Sequence, residues 1–385
     1  MTRPKRLALL GATGSIGRQV CEIVQRYPER FALHAMVAGR DRAALRDLAA
    51  AHPSAHTRLA TPGDGDPEAA AAAIDELVRD PEVDLVVVAI AGSAALRPTL
   101  AALEAGKDVA LATKEVLVMA GDLVRQRMQR HHSRLLPIDS EHSAIWQCLW
   151  GEQRASVRRL ILTGSGGPFL RRPLETLSAA TVDEALQHPR WKMGPKITVD
   201  SATMMNKGLE MIEAHYLFDV GYPDIEVVIH PEAVVHSMVE FVDGSVKAQL
   251  GVPDMRLPIA VALAYPDRIP DIVPPPDLTA IKALTFEPVD PQRFPALALA
   301  RTAAQHGSVA TAVLNAANEE AVAAFLRGRL GFTRIVATVQ EAVAREPRSV
   351  AEDLEAILGA DRRARQFVRK VSGADSDILE RRLPA

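Results

Sequence analysis

The run Leu7-Ala8-Leu9-Leu10, followed by Gly11-Ala12-Thr13-Gly14-Ser15-Ile16-Gly17, decides how the first third of the chain is read. A continuous apolar run is what a strand covered on both faces requires. Glycines three apart let the backbone turn tightly at the strand's end and approach an anion, which free N–H groups and the positive end of the next helix can hold. The spacing is a variant of the dinucleotide fingerprint, and strand, loop, helix and second strand follow in order. A tight turn without a ligand is the competing reading.

Working outward, further β-rich runs come at Leu33–Val37, Leu85–Ile90, Val109–Ala112 and Leu135–Ile138. Helix-like stretches at Arg42–His52, Glu68–Arg79 and Ala94–Ala105 separate them. This alternation predicts an α/β, Rossmann-like, doubly wound parallel sheet over residues 1–139. The second run ends at Ala38-Gly39-Arg40, where an arginine suits the 2′-phosphate of NADP better than the ribose hydroxyl of NAD. Asp41 follows at once and leaves a second reading open, in which it caps a helix and Arg40 is a surface charge.

After Ser140 the alternation stops. Strands are expected at Val157–Thr163 and Ile225–Ile229, a hairpin over Ser237–Gln249 turning at Asp243-Gly244, and a helix over Thr203–Phe218. Residues 140–268 thus read as an α+β domain, proline-rich 269–295 as a linker, and 296–385 as a helical domain. Among the 385 residues, 48% are apolar and 24% charged, with net charge −3. That composition is globular and offers no broad basic field for nucleic acid. No apolar run reaches the length of a membrane span. Two separated cysteines and no leader-like N-terminus give a cytoplasmic expectation.

Asp139-Ser140-Glu141-His142 closes the last strand of the first domain. In an extended segment, Asp139 and Glu141 would point the same way and could share a cation; a helix start with the same residues as cap and first turn is the alternative. Oxygen donors without thiolate or a histidine pair favour Mg²⁺ or Mn²⁺ over zinc. Asn206, Lys207 and Glu210 share one helix face, and Gly208 between them implies a close packing partner. Thr163-Gly164-Ser165-Gly166-Gly167 forms a nest suited to an anion, and Asp200-Ser201-Ala202-Thr203 reads as a cap ahead of the Asn206 helix. The stretch His188–Pro195, carrying Trp191, reads either as a lid or as a loop anchored by its tryptophan.

These segments, together with ATKE at Ala112–Glu115, PIDSEH, LTGSGGPF, HPRWKMG, VDSATMMNKGLEMIEA, IHPEAVVHSM, DGSVKAQLGVPDMR and LNAANE, resemble the 1-deoxy-D-xylulose 5-phosphate reductoisomerase family over nearly the whole chain. The resemblance implies an NADPH- and metal-dependent rearrangement and reduction of 1-deoxy-D-xylulose 5-phosphate to 2-C-methyl-D-erythritol 4-phosphate, in a homodimer. It implies that Thr13, Gly14, Ser15, Ile16, Gly39, Arg40, Thr113, Glu115 and Gly194 contact NADPH. Asp139, Glu141 and Glu210 would bind Mg²⁺ or Mn²⁺. Lys114 and Ser140 would meet the substrate backbone, and Ser165, His188, Ser201, Asn206 and Lys207 its phosphate. His236 would lie nearby. Thr113 stands where the family usually has asparagine. A cysteine-dependent semialdehyde dehydrogenase and a non-catalytic nucleotide sensor are the rival readings.

Overall fold

The computed structural model describes residues 3–61 and 67–380. Contacts group the chain into two compact units: residues 1–116, 123–147 and 254–275 form one, and 117–122, 148–253 and 276–385 form the other.

The first unit is built on six parallel strands: β1 (Lys5–Leu10), β2 (Phe31–Ala38), β3 (His56–Leu59), β4 (Leu85–Val88), β5 (Asp108–Leu111) and β6 (Leu135–Pro137). Their spatial order is β3-β2-β1-β4-β5-β6, the doubly wound dinucleotide-binding order expected from the alternation. Leu7, Leu9, Leu10 and Val86–Val88 are wholly enclosed, which is why these runs carry no polar residue. Strand β3 escaped the sequence reading because it lies at the edge, is short, and alternates polar residues with partial burial.

One segment departs from the linear division. The helix Arg256–Ala264, placed with the α+β domain on sequence, packs in the first unit's core with Leu7, Val20, Ile23 and Val24 through Ile259 and Leu263. Every residue from Pro258 to Ala264 is buried, so the sequence marks a fully covered helix without saying which layer covers it. Lys5 Nζ donates to the Leu263 carbonyl at 2.7 Å, and Arg256 bridges Asp254 and Glu22.

In the second unit, β7 (Val157–Gly164), β8 (Ile225–Ile229), β9 (Val235–Phe241), β10 (Val246–Leu250) and β11 (Glu287–Pro288) form a mixed sheet ordered β10-β9-β7-β8-β11. The β9–β10 hairpin turns at Gly244, whose φ of 87° is costly for any residue with a Cβ. The expected 269–295 linker is partly ordered: it holds the short helix Leu278–Ile281 and β11, which pairs with β8. Four helices follow, Pro295–His306, Ser308–Leu326, Phe332–Ala344 and Leu354–Glu380, in the stretch whose sequence reads as a helical domain. Ser308–Leu326 is nearly enclosed; Arg365 ties it to the last helix by pairing with Glu319 and Asp361. No helix among the described residues is long and apolar enough to cross a membrane.

Candidate active site

The glycine loop leaves the end of β1 with Gly11 at φ +97°. A Cβ on Gly11 would lie 2.3 Å from the Ala89 carbonyl oxygen, and one on Gly17 would lie 2.2 Å from the Gly11 oxygen. The turn therefore requires both glycines. Gly14 opens the helix Ser15–Arg26 with no side-chain cap, which leaves that helix's first N–H groups to an outside acceptor. After β2, the Asp41 carboxylate accepts from the Ala44 N–H at 2.9 Å and caps helix Arg42–Ala50. Its acid is thus committed to the backbone, while Gly39 and Arg40 are exposed. Thr113 is turned inward; its hydroxyl donates to the Ile90 carbonyl at 2.6 Å, so any contact it makes to a cofactor leaves that proton out.

The carboxylates of the first unit do not lie in an extended segment. Helix Ser140–Cys148 begins directly after Asp139, and the Asp139 carbonyl accepts from Ser143 at 2.8 Å. The helix-start alternative is the observed geometry: a three-residue β6 is too short to carry the run further. Lys114 Nζ lies 2.5 Å from Asp139 Oδ2. Burial alone would push the Asp139 carboxyl up, but the Lys114 ammonium and the nearby His142 hold it well below its ordinary range. Asp139 is therefore an anion at neutral pH in a place almost closed to water. The Ser140 hydroxyl donates to the Glu141 carboxylate.

In the second unit, the segment read as a cap before the Asn206 helix is itself helical. Pro195–Thr203 is one helix, with Gly194 as cap and proline in the first turn. Met204 at φ 61° breaks it from the next helix, Met205–Phe218, so the expected single helix from Thr203 begins two residues later. On that second helix Glu210 is buried and receives Lys207 Nζ at 2.6 Å and Asn206 Nδ2 at 2.5 Å. Gly208 faces Ala300: a Cβ there would lie 2.7 Å from the Ala300 methyl, which is the close partner its presence implied.

The nest of small residues after β7 meets the same helices. A Cβ on Gly164 would come within 3.1 Å of the Lys207 side chain, and one on Gly167 within 2.6 Å of the Ser201 carbonyl oxygen. Ser165 Oγ is 3.1 Å from His188 Nε2. His188 Nδ1 accepts the Trp191 N–H at 2.9 Å and the Arg190 N–H at 3.2 Å, so the neutral ring carries its proton on Nε2, toward Ser165. Trp191 is half-buried beside His236, with ring centres 6.1 Å apart, and Arg190 Nε donates to the Pro231 carbonyl. The tryptophan is thus a rim contact of the loop and not an anchor in the core. Burial, and then the charge of Lys207, pushes His188 down to about 4; burial likewise holds His236 at about 4.

Three family models cover successive parts of the chain: 1-deoxy-D-xylulose 5-phosphate reductoisomerase over residues 7–121, its C-terminal domain over 135–218, and the DXP reductoisomerase C-terminal domain over 250–367. The 1-deoxy-D-xylulose 5-phosphate reductoisomerase of Pelotomaculum thermopropionicum is 48% identical over 380 residues, 95% of this chain and 98% of that one. The chain belongs to the 1-deoxy-D-xylulose 5-phosphate reductoisomerase family. Another reductoisomerase, from Chlorobaculum tepidum, is also 48% identical and is covered end to end. Among solved reductoisomerases, the Zymomonas mobilis enzyme in complex with NADPH matches with TM-score 0.87 at 38% identity, over 96% of this chain and 99% of that one. A complex of DOX-P reductoisomerase with NADPH, fosmidomycin and magnesium matches with TM-score 0.86 at 41% identity, over 98% and 99%.

Membership in the reductoisomerase family leaves no place for the cysteine-dependent rival. Burial pushes both Cys21 and Cys148 up to about 11, which leaves neither a useful thiolate. Sequence reasoning passed over His230 and Asn318. His230 is fully enclosed, donates from Nδ1 to the Thr285 carbonyl, and accepts the Val234 and Val235 N–H groups on Nε2, which fixes the approach to His236. Its signal was present in IHPEAVVHSM, but a histidine that serves the backbone looks the same in sequence as one that serves a ligand. Asn318 lies in LNAANE, where only its partner in the fold gives it meaning.

Proposed function

We propose that this chain converts 1-deoxy-D-xylulose 5-phosphate to 2-C-methyl-D-erythritol 4-phosphate with NADPH and Mg²⁺ or Mn²⁺. The observation that carries the reading is near-full-length likeness to reductoisomerases, two of them solved with NADPH, joined to an Asp139 held ionised in a nearly closed setting.

The uncapped helix after Gly14 and the turn that admits no Cβ fit a dinucleotide pyrophosphate, with Thr13, Gly14, Ser15 and Ile16 in contact. Exposed Arg40, beside an Asp41 already used as a cap, suits a 2′-phosphate; Gly39, Thr113, Glu115 and Gly194 complete the cofactor contacts. Asp139, Glu141 and Glu210 are assigned as the ligands of the ion, a donor set of hard oxygens that fits Mg²⁺ or Mn²⁺. When bound, the ion supplies Lewis acidity at the substrate's ketone and hydroxyl oxygens, and NADPH supplies hydride.

The protein's own groups do the rest. Ser165, His188, Ser201, Asn206 and Lys207 grip the phosphate, a remote handle whose binding orients the reacting carbons. Neutral His188, with its proton on Nε2, donates from that side. Lys114 and Ser140 meet the oxygens of the carbon chain, the ammonium of Lys114 being held in place by Asp139. The rearrangement follows a retro-aldol and aldol sequence, which breaks one C–C bond and forms another. The resulting aldehyde takes hydride at carbon and a proton at oxygen. Residues 188–195 serve as the lid that keeps water out during this interval. In this reading the first unit carries Lys114, Asp139, Ser140, Glu141 and most of the cofactor contacts, and the second carries Glu210, the phosphate-binding residues and the lid.

A homodimer in the cytoplasm is proposed with this activity. The outer edge strand β10, with exposed Val246, and Val242 beside it provide a face able to pair with a second copy. The deciding experiment is loss of NADPH absorbance with 1-deoxy-D-xylulose 5-phosphate, with and without Mn²⁺. Consumption that needs both is expected; no consumption in any combination sinks the reading.

A further inference from the structure

We infer that Asn318, acting through Asp200, positions the phosphate end of the substrate site. Asp200 is 1% exposed on helix Pro195–Thr203, one residue before Ser201 and six after Gly194. Its Oδ1 accepts from Asn318 Nδ2 at 2.7 Å, across 118 residues of chain, and its Oδ2 lies 2.9 Å from Lys196 Nζ. Asn318 is fully enclosed on helix Ser308–Leu326, and its own Oδ1 has no hydrogen-bond partner.

An apolar pair would fill this contact without burying a carboxylate or orphaning an amide oxygen, and such replacements are often neutral or stabilising. What the polar pair provides is direction. Lys196 sits one turn back on the same helix and orients the carboxylate, while the Asn318 amide is the contact that ties helix Pro195–Thr203 to helix Ser308–Leu326 and so sets its rotation. Helix Pro195–Thr203 carries Ser201, and its start at Gly194 is the downstream end of the His188–Gly194 loop. The Gly167 backbone also lies against it, so close to the Ser201 carbonyl that no Cβ fits between. Ser201 is therefore set between two contacts, one to the loop that carries Ser165 and one to the C-terminal helices. Asn318 and Asp200 act through Ser201 and are positioning residues.

The inference rests on the assignment of Ser165 and Ser201 to the phosphate, so its test reads phosphate binding apart from turnover. The full-length protein is compared with Asn318→Leu, Asn318→Asp and the exchange Asp200→Asn/Asn318→Asp, which restores one amide and one carboxylate with their places swapped. Calorimetric titration with inorganic phosphate should show Kd raised about tenfold in Asn318→Leu, with KM for the sugar phosphate raised alike and kcat and NADPH affinity nearly unchanged. Asn318→Asp, which sets two carboxylates together, should be worse, and the exchange should recover most of the loss. If Asn318→Leu does not fold, the comparison of Asn318→Asp with the exchange decides. Unchanged phosphate affinity in a folded Asn318→Leu, or an exchange as defective as Asn318→Asp, overturns the inference. A wild-type protein that binds phosphate but never turns over the sugar phosphate overturns the functional reading instead.

Discussion

At the scale of single residues, the site depends on charges kept where water is nearly absent. Glu210 is 1% exposed and holds both Lys207 and Asn206. Glu210→Gln keeps the size and removes the charge. A lost ligand to the ion is worth about 3 kcal/mol of transition-state stabilisation, so kcat should fall about a hundredfold or more with NADPH affinity intact. Turnover that survives with unchanged metal dependence would remove Glu210 from the ion's ligands. The two imidazoles give a second test. Burial holds His188 and His236 at about 4, against an ordinary value near ~6.5 in the unfolded chain. As pH falls through that window the unfolded chain takes up protons that the folded one refuses, so stability falls with it; above the window these groups add no slope. Melting temperatures recorded between about pH 7 and pH 4 should decline less steeply for His236→Asn than for wild type. These roles were legible as residue types. Which nitrogen of His188 carries the proton was not, because that depends on two backbone N–H groups that fold back onto it.

At the scale of elements, periodicity located what was long and apolar and lost what was short, edge-placed or punctuated. The central strands and C-terminal helices could be read directly, whereas β3 and β11 could not, being short edge strands with exposed positions. Asp200–Thr203, the end of helix Pro195–Thr203, reads as a cap because Gly194-Pro195 looks like a loop and Asp-Ser-Ala-Thr like a helix start, signals that apply equally to the helix following Met204. Gly208 was the reverse case, a residue that costs its helix ~1 kcal/mol and so announced a neighbour. The neighbour is Ala300. Gly208→Ala gains in helix propensity but places a methyl 2.7 Å from another methyl, between two backbones that cannot both stay put. Overpacking of this kind costs about 1–3 kcal/mol, so net destabilisation is expected, together with lost activity from the displaced Asn206, Lys207 and Glu210. A higher melting temperature with full activity would show that the helices yield freely.

At the scale of the whole molecule, the first unit is not a contiguous stretch of sequence, and this was the least legible feature. Nothing in Arg256–Ala264 distinguishes a helix that covers the nearer sheet from one that returns to the sheet begun at Lys5. The return is energetically large. Ile259, Leu263 and Ile272 are each at most 7% exposed in the core that also holds Leu7, Val20 and Val24. Burying three such side chains contributes roughly 5–9 kcal/mol, comparable with the whole stability of an ordinary domain, about 5–15 kcal/mol. A fragment ending at Gln147 should therefore have helical content but no cooperative melt, and should bind NADPH far more weakly than the intact chain. Joining Asp254–Pro275 to it by a short flexible linker restores Lys5 to the Leu263 carbonyl and Arg256 to Glu22, and should restore both the melt and NADPH binding. Circular dichroism on heating and NADPH fluorescence titration of the two fragments make the comparison. If the shorter fragment alone melts cooperatively and binds NADPH with the affinity of the full chain, the returning segment is an accessory to the nucleotide fold and not part of its core.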